Sequence, residues 1–182
     1  MIKLIIFLIC SLYILFVSWK PLKDLSSHGF YRFFVFELVI VLFLLNVDYW
    51  LDYPLSLQQI ISWIFLFGSI YPVLAGLRLL KIIGKPDQHL ESETNYKFEK
   101  TTNLVTTGIY KYIRHPMYAS LFYLGWGIFF KHIEVVQTVV LILLVIFLYL
   151  TARYEEKENI KHFGDEYSTY MKKSKMFIPF VL

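Results

Sequence analysis

Five stretches of the chain are apolar enough to lie inside a lipid bilayer, and this feature limits the possible folds more than any other. One crossing takes about 20 apolar residues of α-helix. The predicted spans cover residues 4–19, 30–50, 57–77, 117–130 and 135–152. The fourth is the shortest and is also compatible with half of a tight helical hairpin. The sequence therefore predicts an all-α integral membrane protein with about five transmembrane helices.

The composition of the 182-residue chain excludes three other classes of protein. Apolar residues make up 57% of the sequence and charged residues 18%, and the mean hydropathy is +0.55. A soluble domain contains about 45–50% apolar and about 25% charged residues, so a soluble globule and a disordered chain are both excluded. Cys10 is the single cysteine, which excludes a scaffold built on internal disulfides.

Basic residues alternate between the loops that connect the spans. Lys and Arg are frequent before span 2, before span 4 and after span 5, whereas the other two loops contain Lys131 alone. Because basic loops stay in the cytoplasm, we expect the N-terminus outside and the C-terminus in the cytoplasm. The net charge of +4 then favours contact with anionic lipid. No nucleic-acid-binding motif is present, so no nucleic-acid partner is expected.

Two features inside the spans break their apolar pattern. Gly68, Pro72 and Gly76 recur every four residues, which predicts a close helix–helix contact with a proline kink. Glu37 lies about one turn inside span 2. Such a residue is either a functional candidate or reaches back to the membrane surface.

Two polar stretches, residues 81–115 and 153–182, lie on the predicted cytoplasmic side. Pro116 suits the first turn of span 4, which places Arg114 and His115 at a helix N-terminus, where an anion is favoured. We expect Gly164 to end the helix of span 5 and Asp165 to cap a last amphipathic helix. The aromatic stripe of that helix (Tyr167, Tyr170 and Met171) is expected to pack on the membrane surface or on a neighbouring helix.

One cytoplasmic pocket between these stretches would combine carboxylates, tyrosines, a histidine and an arginine. The candidate residues are Tyr110, Arg114, His115, Tyr118, Glu155 and Glu156. The five histidines lack the spacing of a zinc site, so no metal is expected, and no phosphate loop or dinucleotide fingerprint occurs. Carboxylates beside aromatic faces suit a cationic cofactor such as a sulfonium. The alternative is a solvated charge cluster beside the membrane.

These residues resemble the motif set of the isoprenylcysteine carboxyl methyltransferase family. The resemblance covers residues 104–179 and rests on the following matches: Leu104, Val105, Gly108, Tyr110, Arg114-His115-Pro116-Met117-Tyr118, Glu155-Glu156, Phe163-Gly164, Glu166-Tyr167, Tyr170 and Pro179. The wider group of membrane methyltransferases, which includes phospholipid methyltransferases, shares the Arg-His-Pro-x-Tyr and Glu-Glu elements.

The resemblance implies a cytoplasmic pocket for S-adenosylmethionine in the C-terminal half of the chain. Residues 1–80 would then form three N-terminal helices, and residues 81–182 the methyltransferase core. Carried over by position, the cofactor-binding residues are Leu104, Val105, Tyr110, His115, Pro116, Met117, Tyr118 and Glu155. Arg114, His115 and Glu156 are the catalytic candidates, and Arg153 is the candidate for binding substrate.

Three positions depart from the family pattern. Thr102 replaces a usual His, Ser120 replaces a usual Gly, and Thr151 replaces an Arg that serves the acceptor carboxylate.

The main functional hypothesis is methyl transfer to a lipid-linked acceptor, such as the carboxylate of a prenylated small molecule or peptide. The carboxylate is already ionised near neutral pH and needs no general base. The first alternative is N-methylation of a phospholipid amine, for which His115 or Glu156 would accept a proton. An NADPH-dependent sterol-type reductase and a non-catalytic relative are the remaining alternatives.

Overall fold

Every regular element among the described residues, 1–85 and 101–180 of the computed structural model, is a helix. The long helices are α1 (Ile2–Val17), α2 (His28–Asn46), α3 (Leu57–Gly68), α4 (Ile70–Leu79), α5 (Pro116–Phe129), α6 (Val135–Phe163) and α7 (Asp165–Lys173). Short 3-10 helices cover Pro21–Lys23, Val47–Tyr49 and Gly108–Lys111, and a π-helical turn covers Leu80–Gly84. The predicted all-α class is confirmed. Residues 86–100 of the predicted cytoplasmic loop lie outside the described residues.

Within residues 1–85 and 101–180, three helical segments are long and apolar enough to cross a membrane: His28–Tyr49, Leu57–Gly84 and Val135–Phe163. The other two predicted spans also form helices, but α1 has 16 residues and α5 has 14. Both fall short of the about 20 residues that a full crossing requires. The chain is an integral membrane protein, and crossing by α1 and α5 stays a prediction.

The third predicted span is interrupted in its middle. The regular helix breaks at Ser69 between α3 and α4, because Pro72 has no N–H to donate to the carbonyl of Gly68. The predicted close contact is confirmed at Gly76, where an added Cβ would lie 2.9 Å from Pro116 Cγ. It is wrong for Gly68, since a Cβ there would meet nothing within 4 Å.

The core lies where α2, α5 and α6 meet. Val35 and Leu42 of α2, Ala119 of α5, and Leu144 and Leu148 of α6 are fully buried. Helix α5 also packs against α3 and α4. The core therefore supports α5, at whose N-terminal end the predicted site begins.

Helix α1 packs on α2 but has no buried residue. A polar contact joins the two helices: the Ser11 hydroxyl of α1 donates to Glu37 Oε2 of α2 at 2.6 Å. Glu37 therefore connects α1 to α2 through a hydrogen bond.

A buried lysine joins the α5–α6 connection to the start of α3. Lys131 Nζ donates to Gln59 Oε1 at 2.9 Å and lies 3.3 Å from the ring centre of Trp63. Such a cation–π contact stabilises a charged group removed from water. The short connection holds α5 and α6 as a tight hairpin, which agrees with the alternative considered for span 4.

Helix α6 continues well beyond the predicted span and ends at Gly164, as expected. Gly164 has φ of +61°, which L-residues with a side chain rarely adopt. The predicted cap by Asp165 is wrong: Gly164 is the N-cap, Asp165 is the first residue of α7, and no side chain caps this helix.

Candidate functional site

The segment before α5 is built by a close turn at Gly108. Gly108 has φ of +60°, and a Cβ there would lie 2.7 Å from Leu79 Cδ1. Glycine is therefore required both for the backbone conformation and for the approach to α4. The 3-10 helix that follows directs Tyr110 into the interior, where it is buried.

The chain after α7 pairs with this same segment and fixes its position. Arg114 N–H donates to the Lys175 carbonyl at 2.7 Å, and Lys175 N–H donates to the Tyr112 carbonyl at 2.9 Å. His115 N–H donates to the Met176 carbonyl at 3.2 Å. The sequence did not predict this pairing, because it joins positions that are about 60 residues apart and carry no strand pattern.

A cavity of about 570 Å³, counted out to its open mouth, lies between this segment, α6 and α7. All eight residues predicted to bind a cofactor line it, and Arg114 does so as well. Six lining residues were not predicted as site residues: Leu80, Thr101, Asn159, Phe163, Tyr167 and Tyr170.

Glu155 is the carboxylate in the wall of this cavity. Its Oε2 accepts a hydrogen bond from the Tyr118 hydroxyl, and its Oε1 lies 3.6 Å from His115 Nδ1. The rings of His115 and Tyr118 are stacked with centroids 5.5 Å apart. These contacts place the carboxylate, imidazole and phenol in one connected group.

The surroundings of His115 raise its pKa above that of an ordinary histidine. Burial lowers the pKa of His115, but the neighbouring carboxylates of Glu155 and Glu156 favour the charged form and raise the pKa above its usual 6.5. His115 is almost fully buried between them. When the ring is protonated, its positive charge balances the negative charge of Glu155 and Glu156.

Glu156 is buried and does not line the cavity. Its Oε1 accepts from Arg114 Nε at 2.8 Å and lies 3.5 Å from His115 Nε2, and its Oε2 accepts from Arg153 Nη1 at 3.2 Å. Glu156 is thus the centre of an ion-pair cluster that ties α6 to the start of α5. This geometry suits a positioning residue more than a group that contacts substrate.

Both arginine candidates are held by other groups. The Arg114 Nη1 atom also donates to the carbonyls of Met171, at 3.3 Å, and Ser174. Arg153 is half-exposed, pairs with Glu156 and does not line the cavity. Neither guanidinium extends freely into the cavity.

The three departures from the family pattern have structural explanations. The Thr151 hydroxyl donates to the Phe147 carbonyl at 2.7 Å within α6, and the side chain is fully buried. The Thr102 hydroxyl donates to the Lys85 carbonyl at 3.2 Å, beside the π-helical turn. Ser120 is buried in α5. None of these side chains is a lining residue of the cavity.

The aromatic stripe of α7 closes one side of the cavity. Tyr170 donates to the Tyr110 carbonyl at 2.6 Å, and Tyr167 packs beside it with ring centroids 5.8 Å apart. Burial raises the pKa of both phenols well above the usual 10.0, so both stay neutral. Of the two predicted packing modes, the neighbouring helix is confirmed for these two residues, since Tyr170 bonds to the 3-10 helix and Tyr167 stacks on Phe163 of α6, and the membrane surface is wrong.

Two of the unpredicted residues had a detectable signal in the sequence. Asn159 follows Glu155 by four residues on α6, and Tyr170 follows Tyr167 by three on α7, so each pair shares one helix face. Leu80 and Thr101 had none, since they reach the cavity only through tertiary packing.

The described lining combines the Glu155 carboxylate with phenols, the His115 ring and apolar walls. Carboxylate and aromatic faces attract cations, and the start of α5 favours a carboxylate. The site is suited to a ligand with a positive centre and an anionic end.

A comparison with protein-family models matches residues 59–166 to the phospholipid methyltransferase family. The match covers more than half of the chain, including α5, α6 and the start of α7. No curated protein and no solved structure gives a significant match. The matched family belongs to the same superfamily of membrane methyltransferases as the isoprenylcysteine enzymes that the sequence resembles.

Proposed function

The chain belongs to the phospholipid methyltransferase family, and from this premise we propose that it transfers a methyl group from S-adenosylmethionine to the amine of a phospholipid headgroup. The membrane methyltransferase class follows from the family. The cofactor, the acceptor and the residue roles are our proposal. The observation that carries it is the cavity, whose described lining contains the Glu155 carboxylate and, as its guanidinium, Arg114, which is paired with Glu156.

The chemistry of the cavity lining suits S-adenosylmethionine. Glu155 and the tyrosines at positions 110, 118, 167 and 170 offer a carboxylate and aromatic faces to a sulfonium and an amino group. Leu104, Val105, Pro116 and Met117 supply apolar wall for a purine. Bound there, S-adenosylmethionine supplies an electrophilic methyl group on a positively charged sulfur.

The protein's own contribution is to orient the reactants and to exclude water. The Tyr118 hydroxyl and His115 hold the Glu155 carboxylate in one orientation. Arg114 and Glu156 hold the segment that carries His115 against α6. We assign Arg114 and Glu156 to positioning rather than to contact with the reacting atoms.

The distribution of charge favours an amine over a carboxylate as acceptor. A carboxylate would require a positive partner, but Arg114 and Arg153 are both paired with Glu156, and the uncharged Thr151 is buried. An amine headgroup is complementary to Glu155. The main hypothesis from the sequence, carboxyl methylation, is therefore the alternative in this proposal.

An amine acceptor must lose its proton before its lone pair attacks the methyl carbon. Of the two proton acceptors considered from sequence, only His115 lines the cavity. In our proposal, neutral His115 accepts the ammonium proton and Glu155 stabilises the resulting imidazolium. Glu156, whose Oε1 lies 3.5 Å from His115 Nε2, also stabilises the positive charge of the imidazolium.

We also propose that the cofactor machinery lies within residues 81–182 and opens to the cytoplasm, as the alternation of basic loops indicates. Just before this range, Leu80 of the π-helical turn lines the cavity, and Gly76 of α4 packs against Pro116, which also lines it.

The test is transfer of labelled methyl in proteoliposomes that contain phosphatidylethanolamine and a farnesylated cysteine analogue. We expect label in the phospholipid, and equal transfer by Arg153→Gln, which alters a guanidinium outside the cavity. Label found only in the cysteine analogue would contradict the amine acceptor while retaining the methyltransferase class. Label in neither lipid would contradict the proposed activity.

A further inference from the structure

A second concavity lies on the membrane-facing side of the molecule, between α3–α4, α5 and residues 108–113. It has a volume of about 1320 Å³, counted out to its open side. Its floor is apolar and includes Phe65, Pro72, Ile109 and Tyr123. We call this concavity the α3–α5 groove.

The groove is open where α3 meets α4 because the residue there, Gly68, has no side chain. Gly68 lines it, and a Cβ at Gly68 would meet nothing within 4 Å. The neighbouring lining residues Ile64 and Tyr71 are exposed. These positions lie near the middle of the Leu57–Gly84 membrane segment, so the medium that contacts them is hydrocarbon rather than water.

The polar end of the groove carries a positive charge. Lys111 is exposed and lies on the segment that precedes α5, and its Nζ is 5.9 Å from the ring centre of Tyr112. It is the one charged residue that lines the groove in the described part of the chain. An apolar slot with a lysine at its polar end is complementary to an acyl chain below an anionic headgroup.

The groove is separate from the cofactor cavity. The two have no lining residue in common, because Tyr110 faces the cavity while Ile109 and Lys111 face the groove. Between them α4 packs closely on α5, with Gly76 against Pro116. A lipid in the groove is thus divided from the reacting groups by protein.

We propose that the α3–α5 groove is a second lipid site, distinct from the acceptor's, that holds an acyl chain of an anionic glycerophospholipid whose phosphate pairs with Lys111. The inference does not depend on the proposed methyl transfer, since it uses none of the cavity residues. Charge complementarity selects the anionic lipid, and the open space at Gly68 accommodates its chain.

The test is photo-crosslinking of the full chain in nanodiscs, with phosphatidylglycerol or phosphatidylcholine that carries a diazirine on one acyl chain. We expect adducts on groove residues such as Phe65 and Tyr123, with phosphatidylglycerol preferred. Gly68→Leu should fill the groove and remove most adducts, whereas Val139→Leu on the exposed face of α6 should not. Lys111→Gln should reduce the preference for phosphatidylglycerol by about fivefold, and Lys172→Gln should leave it unchanged.

Three results would overturn the proposal. The first is an absence of groove adducts in the wild-type protein. The second is equal labelling by the two lipids, or a preference that Lys111→Gln retains. The third is the finding that photoreactive phosphatidylethanolamine labels the groove and is methylated there. The groove would then be the binding site of the methyl acceptor. Because Lys111→Gln alters one exposed side chain, it keeps the test decisive if Gly68→Leu fails to fold.

Discussion

Arg114 Nε lies 2.8 Å from Glu156 Oε1, and both side chains are almost completely buried. The pair joins the segment before α5 to the C-terminal half of α6. Through its bonds to the Met171 and Ser174 carbonyls, Arg114 also holds the end of α7. One ion pair therefore fixes three of the elements that surround the cavity.

Glu156→Ala should strongly destabilise the protein. Removing one partner of a buried ion pair costs about 3–5 kcal/mol, because the other charge is left without compensation. The measurement is the free energy of unfolding in detergent. Arg153→Ala is the matched control, since a half-exposed pair contributes about 0–1 kcal/mol. Equal losses in the two variants would contradict a central role for Glu156.

Gly76→Ala and Gly68→Ala should change stability in opposite directions, although both add one methyl group to the same helical segment. At Gly76 the methyl group would collide with the Pro116 ring at 2.9 Å, and such overpacking costs about 1–3 kcal/mol. At Gly68 it meets no atom, so improved helix propensity adds up to about 1 kcal/mol. Thermal unfolding of both variants measures the difference. A stabilising Gly76→Ala would contradict the close packing of α4 on α5.

The stability that His115 contributes should depend on pH. The folded-state pKa of His115 lies above its unfolded value, so the protonated ring stabilises the fold fully below about pH 6.5. This contribution is lost as the pH rises through the raised folded-state pKa. We expect the stability advantage of the wild type over His115→Asn to shrink over the pH interval that begins near the unfolded pKa of about 6.5 and extends upward through the raised folded-state pKa. A difference that does not vary across this interval would show that Glu155 and Glu156 do not act on the ring.

The two ends of the helices should be labelled from opposite sides of the membrane. Lys3 pairs with Asp48 at one end, and Glu158 accepts from His28 N–H at 2.9 Å at the other. In a Cys10→Ser background, Asp52→Cys should react with an impermeant thiol reagent outside the cell, and Lys172→Cys only after permeabilisation. Labelling of both from the same side would contradict the predicted orientation.

The helices were predictable from sequence because long apolar runs and their end signals are local features. The cavity was predictable in part for the same reason, since five of its lining residues are consecutive, from Arg114 to Tyr118. The break at Ser69 was indicated by Pro72 three residues later.

The remaining contacts depend on tertiary packing between distant parts of the chain. No local pattern shows that Glu156 pairs with Arg114, 42 residues away, or that α7 turns its tyrosines toward the cavity. Glu155 and Glu156 are adjacent in sequence, yet only one of them faces the cavity, because neighbouring helical residues point in different directions. The sequence alone could not assign their separate roles.

The most direct test of the account is a binding titration of the detergent-purified protein with S-adenosylmethionine and, separately, with NADPH. We expect saturable binding of S-adenosylmethionine and none of NADPH. Glu155→Gln and Tyr118→Phe should each weaken binding by about ten- to a hundredfold, the value of one charge-assisted hydrogen bond. Tyr112→Phe, on the groove side, should bind as the wild type does. Binding of NADPH alone, or an affinity for S-adenosylmethionine that neither cavity variant changes, would contradict the assignment of this cavity to the methyl donor.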